Sequence, residues 1–256
     1  MGNLFSVEGK IALVTGGSRG IGFMIARGLV EGGAKVYITA RKAEACNAAA
    51  AELSKVGTCI AIVGDVGTVA GIGKLVTALK ERESKLDVLV NNAGANWAEP
   101  LDVYSESGWD KVQSTNLKAP FFLTRELLPM LKAAATHADP ARVINIASID
   151  GLHVPGLETY AYSSSKAGVI HMTRVLARKL ASDHITVNAV SPGPFESKMM
   201  EETLRRFGDA IAKSVPRGRI GEPDDMAGVT LFLSSRAGAY LTGVCIPVDG
   251  GLSTTV

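Results

Sequence analysis

The sequence predicts a doubly wound α/β domain built on one parallel sheet. Three observations predict it: short apolar, β-branched runs recur along the chain, longer stretches with helical spacing separate them, and the least regular segments all follow strand ends. With 256 residues, 46% of them hydrophobic, the chain suits one large core better than two small ones.

The strand candidates are KIALVTG (10–16), KVYITA (35–40), CIAIVGDV (59–66), DVLVNNAG (87–94), ARVINIAS (141–148), ITVNAVSPG (185–193) and GVCIPVDGG (243–251). Each is nearly continuous in apolar residues, the pattern of a parallel strand covered on both faces. Helical spacing fills 21–31, 43–55, 69–82, 107–116, 121–134, 161–181 and 224–234. Strand and helix in alternation make a parallel sheet with helices on both faces. The irregular stretches 95–106, 149–160 and 194–222 follow carboxyl ends of strands, where open α/β sheets bind ligands. The last of these holds ESKMMEETLRRFGDAIAKS between Pro and Gly and is expected to act as a lid that excludes water.

Composition excludes several functions. A formal charge of +2 with scattered basic residues lacks the footprint of a nucleic-acid binder. Cys46, Cys59 and Cys245 are far apart, and His137, His153, His171 and His184 have no ligand spacing, so neither a disulfide framework nor a metal site is expected. A reduced, cytoplasmic setting fits. No apolar run spans a bilayer and no secretory signal pattern opens the chain, so no membrane association is expected. MGNLFS formally satisfies the N-myristoylation pattern with Gly2 and Ser6, without a polybasic patch beside it.

TGGSRGIG (15–22) follows the first strand and opens the first helix. Its glycines at 16, 20 and 22 let backbone approach a pyrophosphate, which the helix N-terminus attracts through free N–H groups and dipole. Gly16, Ser18, Arg19, Gly20 and Ile21 are the candidate contacts; a tight strand-to-helix turn is the competing reading. The second strand ends in Arg41 and Lys42 without a carboxylate. Arg19 and Arg41 together match a 2′-phosphate, which favours NADPH over NADH; a solvated surface arginine is the alternative for either alone. Asp65 and Val66 are expected to face the adenine, and the backbone of Asn92, Ala93 and Gly94 to pass the adenosine ribose. Both stretches also suit ordinary turn chemistry.

Tyr162 and Lys166 are four apart on one expected helix and share a face. A nearby ammonium favours the phenolate and lowers the Tyr pKa toward working pH. Tyr160 has Ser164 in the corresponding position and reads as a packing or pocket residue. Ser148 ends the fifth strand, where its hydroxyl can hold a carbonyl oxygen or simply serve a turn. Asn116 lies before Pro120, whose missing N–H breaks regular helix bonding and can leave a carbonyl free to hold water.

Taken together, TGGSRGIG, NNAG, Asn116, Ser148, YSSSK (162–166) and SPG (191–193) resemble the short-chain dehydrogenase/reductase family, in order and spacing, over essentially the whole chain. The resemblance implies a single-domain Rossmann fold with a seven-stranded sheet. It implies hydride transfer from nicotinamide to a carbonyl carbon, with Tyr162 as acid/base, Lys166 lowering its pKa and holding the nicotinamide ribose, Ser148 orienting the carbonyl and Asn116 supporting a water relay. PGPFES (192–197) resembles the segment that meets the nicotinamide carboxamide, through Pro192, Gly193, Phe195 and Ser197. Ser197 stands where the family more often has Thr. The interval from Ser148 to Tyr162 is about a residue longer than usual, which puts the shape of that loop in doubt.

Within the family the chain looks most like the β-ketoacyl (3-oxoacyl) reductase branch, especially rhamnolipid-type ketoacyl reductases, through PARVINIAS, YAYSSSKA and GAYLTG with IPVDGG. Expected pocket residues are Asn96, Trp97, Asp150, Leu152, Leu157, Phe195, Met199 and Met200, an apolar set suited to an acyl chain. Their alternative role is packing of the lid. The resemblance implies a homo-oligomer, a dimer of dimers. The leading expectation is an NADPH-dependent carbonyl reductase of a 3-oxoacyl thioester; the alternatives are a sugar, steroid or xenobiotic ketone reductase, and a silent NADP-binding sensor or scaffold.

Overall fold

The computed structural model describes residues 4–198 and 200–255; Gly2 and Met199 lie outside them. The chain alternates β1 (Ile11–Thr15), α1 (Gly20–Glu31), β2 (Lys35–Thr39), α2 (Ala43–Leu53), β3 (Cys59–Ala61), α3 (Val69–Lys80) and β4 (Val88–Asn91). The second half runs α4 (Glu106–Gln113), α5 (Ala119–Ala134), β5 (Ala141–Ile146), α6 (Tyr160–Leu180), β6 (Ile185–Pro192), α7 (Glu201–Ser214), α8 (Pro223–Ser234) and β7 (Cys245–Val248). All pairings are parallel, in the order β3-β2-β1-β4-β5-β6-β7. This is the doubly wound seven-stranded sheet that the alternation predicts, and the order reverses between β1 and β4, where such sheets bind ligands.

Alternation along each strand feeds two helical layers. Ala12 and Val14 of β1 face Ile25 and Leu29 of α1 and Met226 of α8, whereas Leu13 faces Ile72 and Leu75 of α3 and Leu127 of α5. Full burial of each such side chain contributes about 2 kcal/mol. The two halves therefore share one sheet with a core on each face.

Three elements depart from expectation. The edge strands are shorter than 59–66 and 243–251, because each pairs with a single neighbour, β3 with β2 and β7 with β6. The expected helices 107–116 and 121–134 form one continuous rod, joined by a π turn at Ser114–Lys118 that contains Asn116. Pro120 has no N–H to return to the carbonyl four residues back, and the wider turn absorbs the loss without breaking the rod. In the stretch expected to act as a lid, the helix begins at Glu201, because Phe195 is held in a bridge to Gly221.

Among the described residues, no helix is long and apolar enough to cross a membrane, and no group of three or more His, Cys, Asp or Glu is placed to hold a metal ion.

Candidate active site

The glycine loop is built by β1, β2 and β4 together. Gly16 and Gly17 donate to the Thr39 carbonyl at 2.8 and 3.3 Å, which ties the loop to the end of β2. Gly16 has φ +67°, and a Cβ there would stand 2.9 Å from Asn92 Nδ2 and 3.0 Å from Ala93 Cα. The left-handed backbone and the close approach both require glycine. Asn92 Nδ2 donates to the Thr15 carbonyl at 2.8 Å and to that of Gly16 at 3.3 Å. Thr15 Oγ1 accepts from the N–H groups of Asn92 and Ala93, both at 2.9 Å. Thr15 and the Asn92 side chain escaped the sequence reading because their partners lie more than 70 residues away.

Arg19 is the N-cap of α1 and its side chain makes no cap bond. Arg19 and Arg41 are both exposed at the end of the sheet where Gly16 meets Thr39. Ser18 and Ile21 are partly buried in the same turn. Asp65 is exposed and turns its carboxylate onto the Gly67 N–H at 2.9 Å, while Val66 is buried against the α3 layer beside Ile72 and Leu75. These are turn and packing roles, and Gly64 just before the pair donates to the Ala40 carbonyl at 3.1 Å, beside the end of β2.

The catalytic candidates converge where β4, β5 and α6 meet. Lys166 is buried, and its Nζ donates to the Ile146 carbonyl at 2.7 Å and stands 5.5 Å from the Tyr162 ring centroid. A Cβ on Gly94 would lie 3.5 Å from Asn116 Oδ1 and 3.9 Å from Lys166 Nζ, so the β4 loop closes over both. Ser148 is buried and its Oγ accepts from the Asp150 N–H at 3.2 Å. Burial lowers the Lys166 ammonium to about 8, and Asp150 opposes that shift.

The expected depression of the Tyr162 pKa is not what the structure shows. Burial pushes the phenol up to about 12; the neighbouring Ser148 hydroxyl pulls it down and Asp150 adds to the rise. The Lys166 ammonium is turned to the Ile146 carbonyl, so loss of solvent outweighs its attraction for a phenolate.

The Asn116 side chain is engaged with its neighbours. Oδ1 accepts from the Ala95 N–H at 2.8 Å, and Nδ2 donates to the Ala95 carbonyl at 2.9 Å and to Ser165 Oγ at 3.1 Å. Behind it runs a buried ladder that the sequence reading missed: Asn91 Nδ2 donates to Asn145 Oδ1 at 2.8 Å and to Thr124 Oγ1 at 3.3 Å, and Asn145 Nδ2 to Thr173 Oγ1 at 2.9 Å. Asn91 and Asn145 are register partners on β4 and β5. A polar residue within each apolar run was the available signal, and the pairing registers needed to join them came only with the fold.

The expected pocket residues divide. Leu152 and Leu157 are exposed on the loop after β5, and Asp150 is partly buried there. Trp97 instead packs on α4: its ring fills the space a Cβ on Gly108 would need, and Lys111 Nζ lies 4.6 Å from the ring centroid. Asn96 Oδ1 accepts from the Trp97 N–H at 2.8 Å, a local turn. Met200 is partly buried, its N–H on the Ser197 carbonyl at 3.0 Å.

The segment from Pro194 to Gly221 leaves and returns at one point. Phe195 is buried against Gly221, and Gly221 donates to the Pro194 carbonyl at 2.9 Å. Upstream, Pro192 ends β6 and Gly193 donates to the Val248 carbonyl at 3.0 Å. None of the residues in α7 is buried. A cleft of about 670 Å³ lies between α1 and α7, lined by Gly20, Phe23, Ser197 and Leu204 among others. Ser197 thereby faces the α1 N-terminus.

Comparison with known proteins agrees with this geometry. A family described as enoyl-(acyl carrier protein) reductase matches residues 16–253. The rhamnolipids biosynthesis 3-oxoacyl-[acyl-carrier-protein] reductase of Pseudomonas aeruginosa is 47% identical over 96% of this chain and 97% of its own. A short-chain dehydrogenase/reductase, PhomF, of Diaporthe leptostromiformis is 34% identical over 99% of this chain and 94% of its own. Among solved structures, the Pseudomonas aeruginosa RhlG/NADP active-site complex superposes with a TM-score of 0.96 at 47% identity, covering 99% of this chain and 100% of that one. Matches that run from the glycine loop to beyond the last strand leave one assignment: the chain belongs to the short-chain dehydrogenase/reductase family.

Proposed function

We propose that this oxidoreductase is an NADPH-dependent carbonyl reductase that converts a 3-oxoacyl thioester to the 3-hydroxyacyl product. The observation that carries the reading is the convergence of Ser148, Tyr162 and Lys166 at one point of the sheet end, with the Ser148 hydroxyl acting directly on the Tyr162 phenol. Two hydroxyls converging on one oxygen suit a carbonyl that becomes an alcohol. The thioester is supported by the 47% identical relative, whose name is a 3-oxoacyl-[acyl-carrier-protein] reductase, and by Leu152, Val154 and Leu157, which expose apolar side chains beside the site.

The residues fit a dinucleotide. The crowded Gly16 and the uncapped α1 N-terminus leave a cradle for phosphate, formed by Gly16, Ser18, Arg19, Gly20 and Ile21. Arg19 and Arg41 bind the 2′-phosphate; Asp65, Val66, Asn92, Ala93 and Gly94 border the adenosine; Pro192, Gly193, Phe195 and Ser197 border the nicotinamide. The NADP in the RhlG complex supports that choice of coenzyme. When bound, NADPH supplies the hydride.

Ser148 donates to the carbonyl oxygen and orients it. Tyr162 gives its phenolic proton to the same oxygen as carbon accepts the hydride, and the charged oxygen that drives the transfer overcomes the high phenol pKa. Lys166 holds the nicotinamide ribose and stabilises the phenolate left behind. Asn116 fixes Ala95 and Ser165, and through them the walls of the site. The domain closes its lid, 194–222, over the carbonyl. Trp109, Phe121 and Val175 are exposed on α4, α5 and α6, which supports a homo-oligomer.

The test follows NADPH and, separately, NADH consumption with acetoacetyl and longer 3-oxoacyl thioesters, with Tyr162→Phe as control. Turnover with NADPH, abolished in the variant, is expected. Activity confined to a cyclic or sugar ketone, or to an enoyl thioester, overturns the substrate; an inactive wild type revives the sensor.

A further inference from the structure

Two consecutive residues of β5 hold α6 at two points. The Ile146 carbonyl accepts from Lys166 Nζ at 2.7 Å, and Asn145 Nδ2 donates to Thr173 Oγ1 at 2.9 Å. Thr173 follows Lys166 by two helical turns, about 10 Å along the axis, and Asn145, Lys166 and Thr173 are all buried. The apolar neighbours of α6 in this stretch, Ala147 and Ala189 against Val169 and Ile170, attract without direction. A hydrogen bond has a length and an angle to satisfy, so the bond from Asn145 to Thr173 fixes how far the helix stands along the strand.

The Asn145 amide has one orientation in this setting. Its Oδ1 accepts from Asn91 Nδ2 at 2.8 Å, which aims its own Nδ2 at α6. Thr173 Oγ1 spends its single proton on the Val169 carbonyl at 2.8 Å. At the far end of the ladder, Thr124 Oγ1 accepts from Asn91 Nδ2 at 3.3 Å and donates to the Pro120 carbonyl at 2.7 Å. The bonds therefore run outward from the Asn91 amide and end on a carbonyl of α5 and a carbonyl of α6. A buried chain satisfied in this way holds one geometry, because slippage of either helix leaves a buried polar atom without its partner.

We propose that Asn145 is a positioning residue for Tyr162 and Lys166: through Thr173 it sets the place of α6 along β5, and with it the reach of both side chains. The proposal rests on the reading of Tyr162 and Lys166 as the acid/base pair, with Lys166 on the nicotinamide ribose. The two ends of the ladder separate this role from plain stability. The Thr173 end ties β5 to the helix that carries the pair, whereas the Thr124 end ties β4 to α5, which carries neither.

The test compares wild type with Asn145→Ala, Thr173→Val, Thr173→Ser and Thr124→Val. NADPH affinity is read from coenzyme fluorescence without substrate. Turnover of acetoacetyl thioester is expressed per coenzyme-binding site, so that loss of folded protein does not count as loss of rate. Thr173→Val keeps the shape and removes the bond: the Kd for NADPH is expected to rise and kcat per site to fall, each by about tenfold, and Asn145→Ala to do the same. Thr173→Ser keeps the hydroxyl, and both constants stay near wild type. Thr124→Val loses an equivalent bond, so its melting temperature falls while both constants stay near wild type. Equal losses in Thr124→Val and Thr173→Val, or an unmoved Kd in Thr173→Val, overturn the proposal. If Asn145→Ala does not fold, the three threonine variants decide under the same criterion. The expected pattern of Kd with no turnover of any thioester sinks the substrate reading and leaves this one standing. Thioester turnover with a flat Kd across the variants does the reverse.

Discussion

The side chain of Asn116 closes two hydrogen bonds on the backbone of Ala95, accepting from its N–H at 2.8 Å and donating to its carbonyl at 2.9 Å. This amide pairing joins the π turn of the long helix to the loop after β4, at the depth of Lys166. The third bond, to Ser165 Oγ, passes to α6, because Ser165 Oγ donates to the Tyr162 carbonyl at 2.7 Å. One side chain thus sets the distance between the coenzyme loop and the helix that carries Tyr162.

Asn116→Ala is expected to leave the Ala95 N–H and carbonyl without these partners in a partly buried setting, at about 1 kcal/mol. A lower melting temperature and a kcat reduced by about tenfold to a hundredfold, with the fold intact by circular dichroism, are the expected outcomes. An unchanged kcat shows that Asn116 has no part in setting the site.

Tyr162→Phe removes the proposed proton donor and little volume, at a ring that lies 5.5 Å from Lys166 Nζ. Reduction is expected to fall by about a hundredfold to ten-thousandfold, while NADPH binding, followed by its fluorescence, persists. Activity within a factor of two of wild type places the acid elsewhere.

Much of this was legible in the chain because the physics is local. A strand buried on both faces reads as an apolar run, and Val88 to Val90 announce β4 without help from the rest of the fold. Tyr162 and Lys166 were joined by the helical period alone. The effect of Pro120 on the helix was legible as a disturbance but not as a π turn, since a break and a wider turn share the same missing N–H. Asn92, Thr15 and the Asn91–Asn145 ladder act through partners on other strands, and register is not written locally. The direction of the Tyr162 shift needed the depth of burial, which outweighs an ammonium whose Nζ is spent on a carbonyl.

The proposed preference for NADPH rests on Arg41, which follows β2 where many dinucleotide sites carry a carboxylate. Arg41→Glu is expected to lower kcat/KM with NADPH by about tenfold or more, roughly 1.4 kcal/mol, and to leave or improve that with NADH. Equal losses with both coenzymes signal a structural role instead.

Arg142 makes a separate demand on stability, at the opposite end of the sheet. Its side chain is 1% exposed and donates to the carbonyls of Leu233 and Ser235 at 3.1 and 2.8 Å, and to Asp139 Oδ1 at 2.9 Å. It binds β5 to the end of α8. Arg142→Ala is expected to cost about 3 kcal/mol by denaturant unfolding, with kinetic constants unchanged in the folded fraction.

Lys166 gives a sign that a titration can check. Its pKa falls from 10.5 to about 8 on folding, chiefly through burial, so the unfolded chain holds the extra proton between those values. Stability from this group is therefore lowest below pH 8 and rises with pH from about 8 to 10.5. Lys166→Met removes the titration and keeps most of the volume. The wild type should gain stability relative to this variant between pH 8 and 10, in denaturant unfolding without coenzyme. A stability difference that stays flat, or moves the other way, means that the Lys166 ammonium is not held against its own burial.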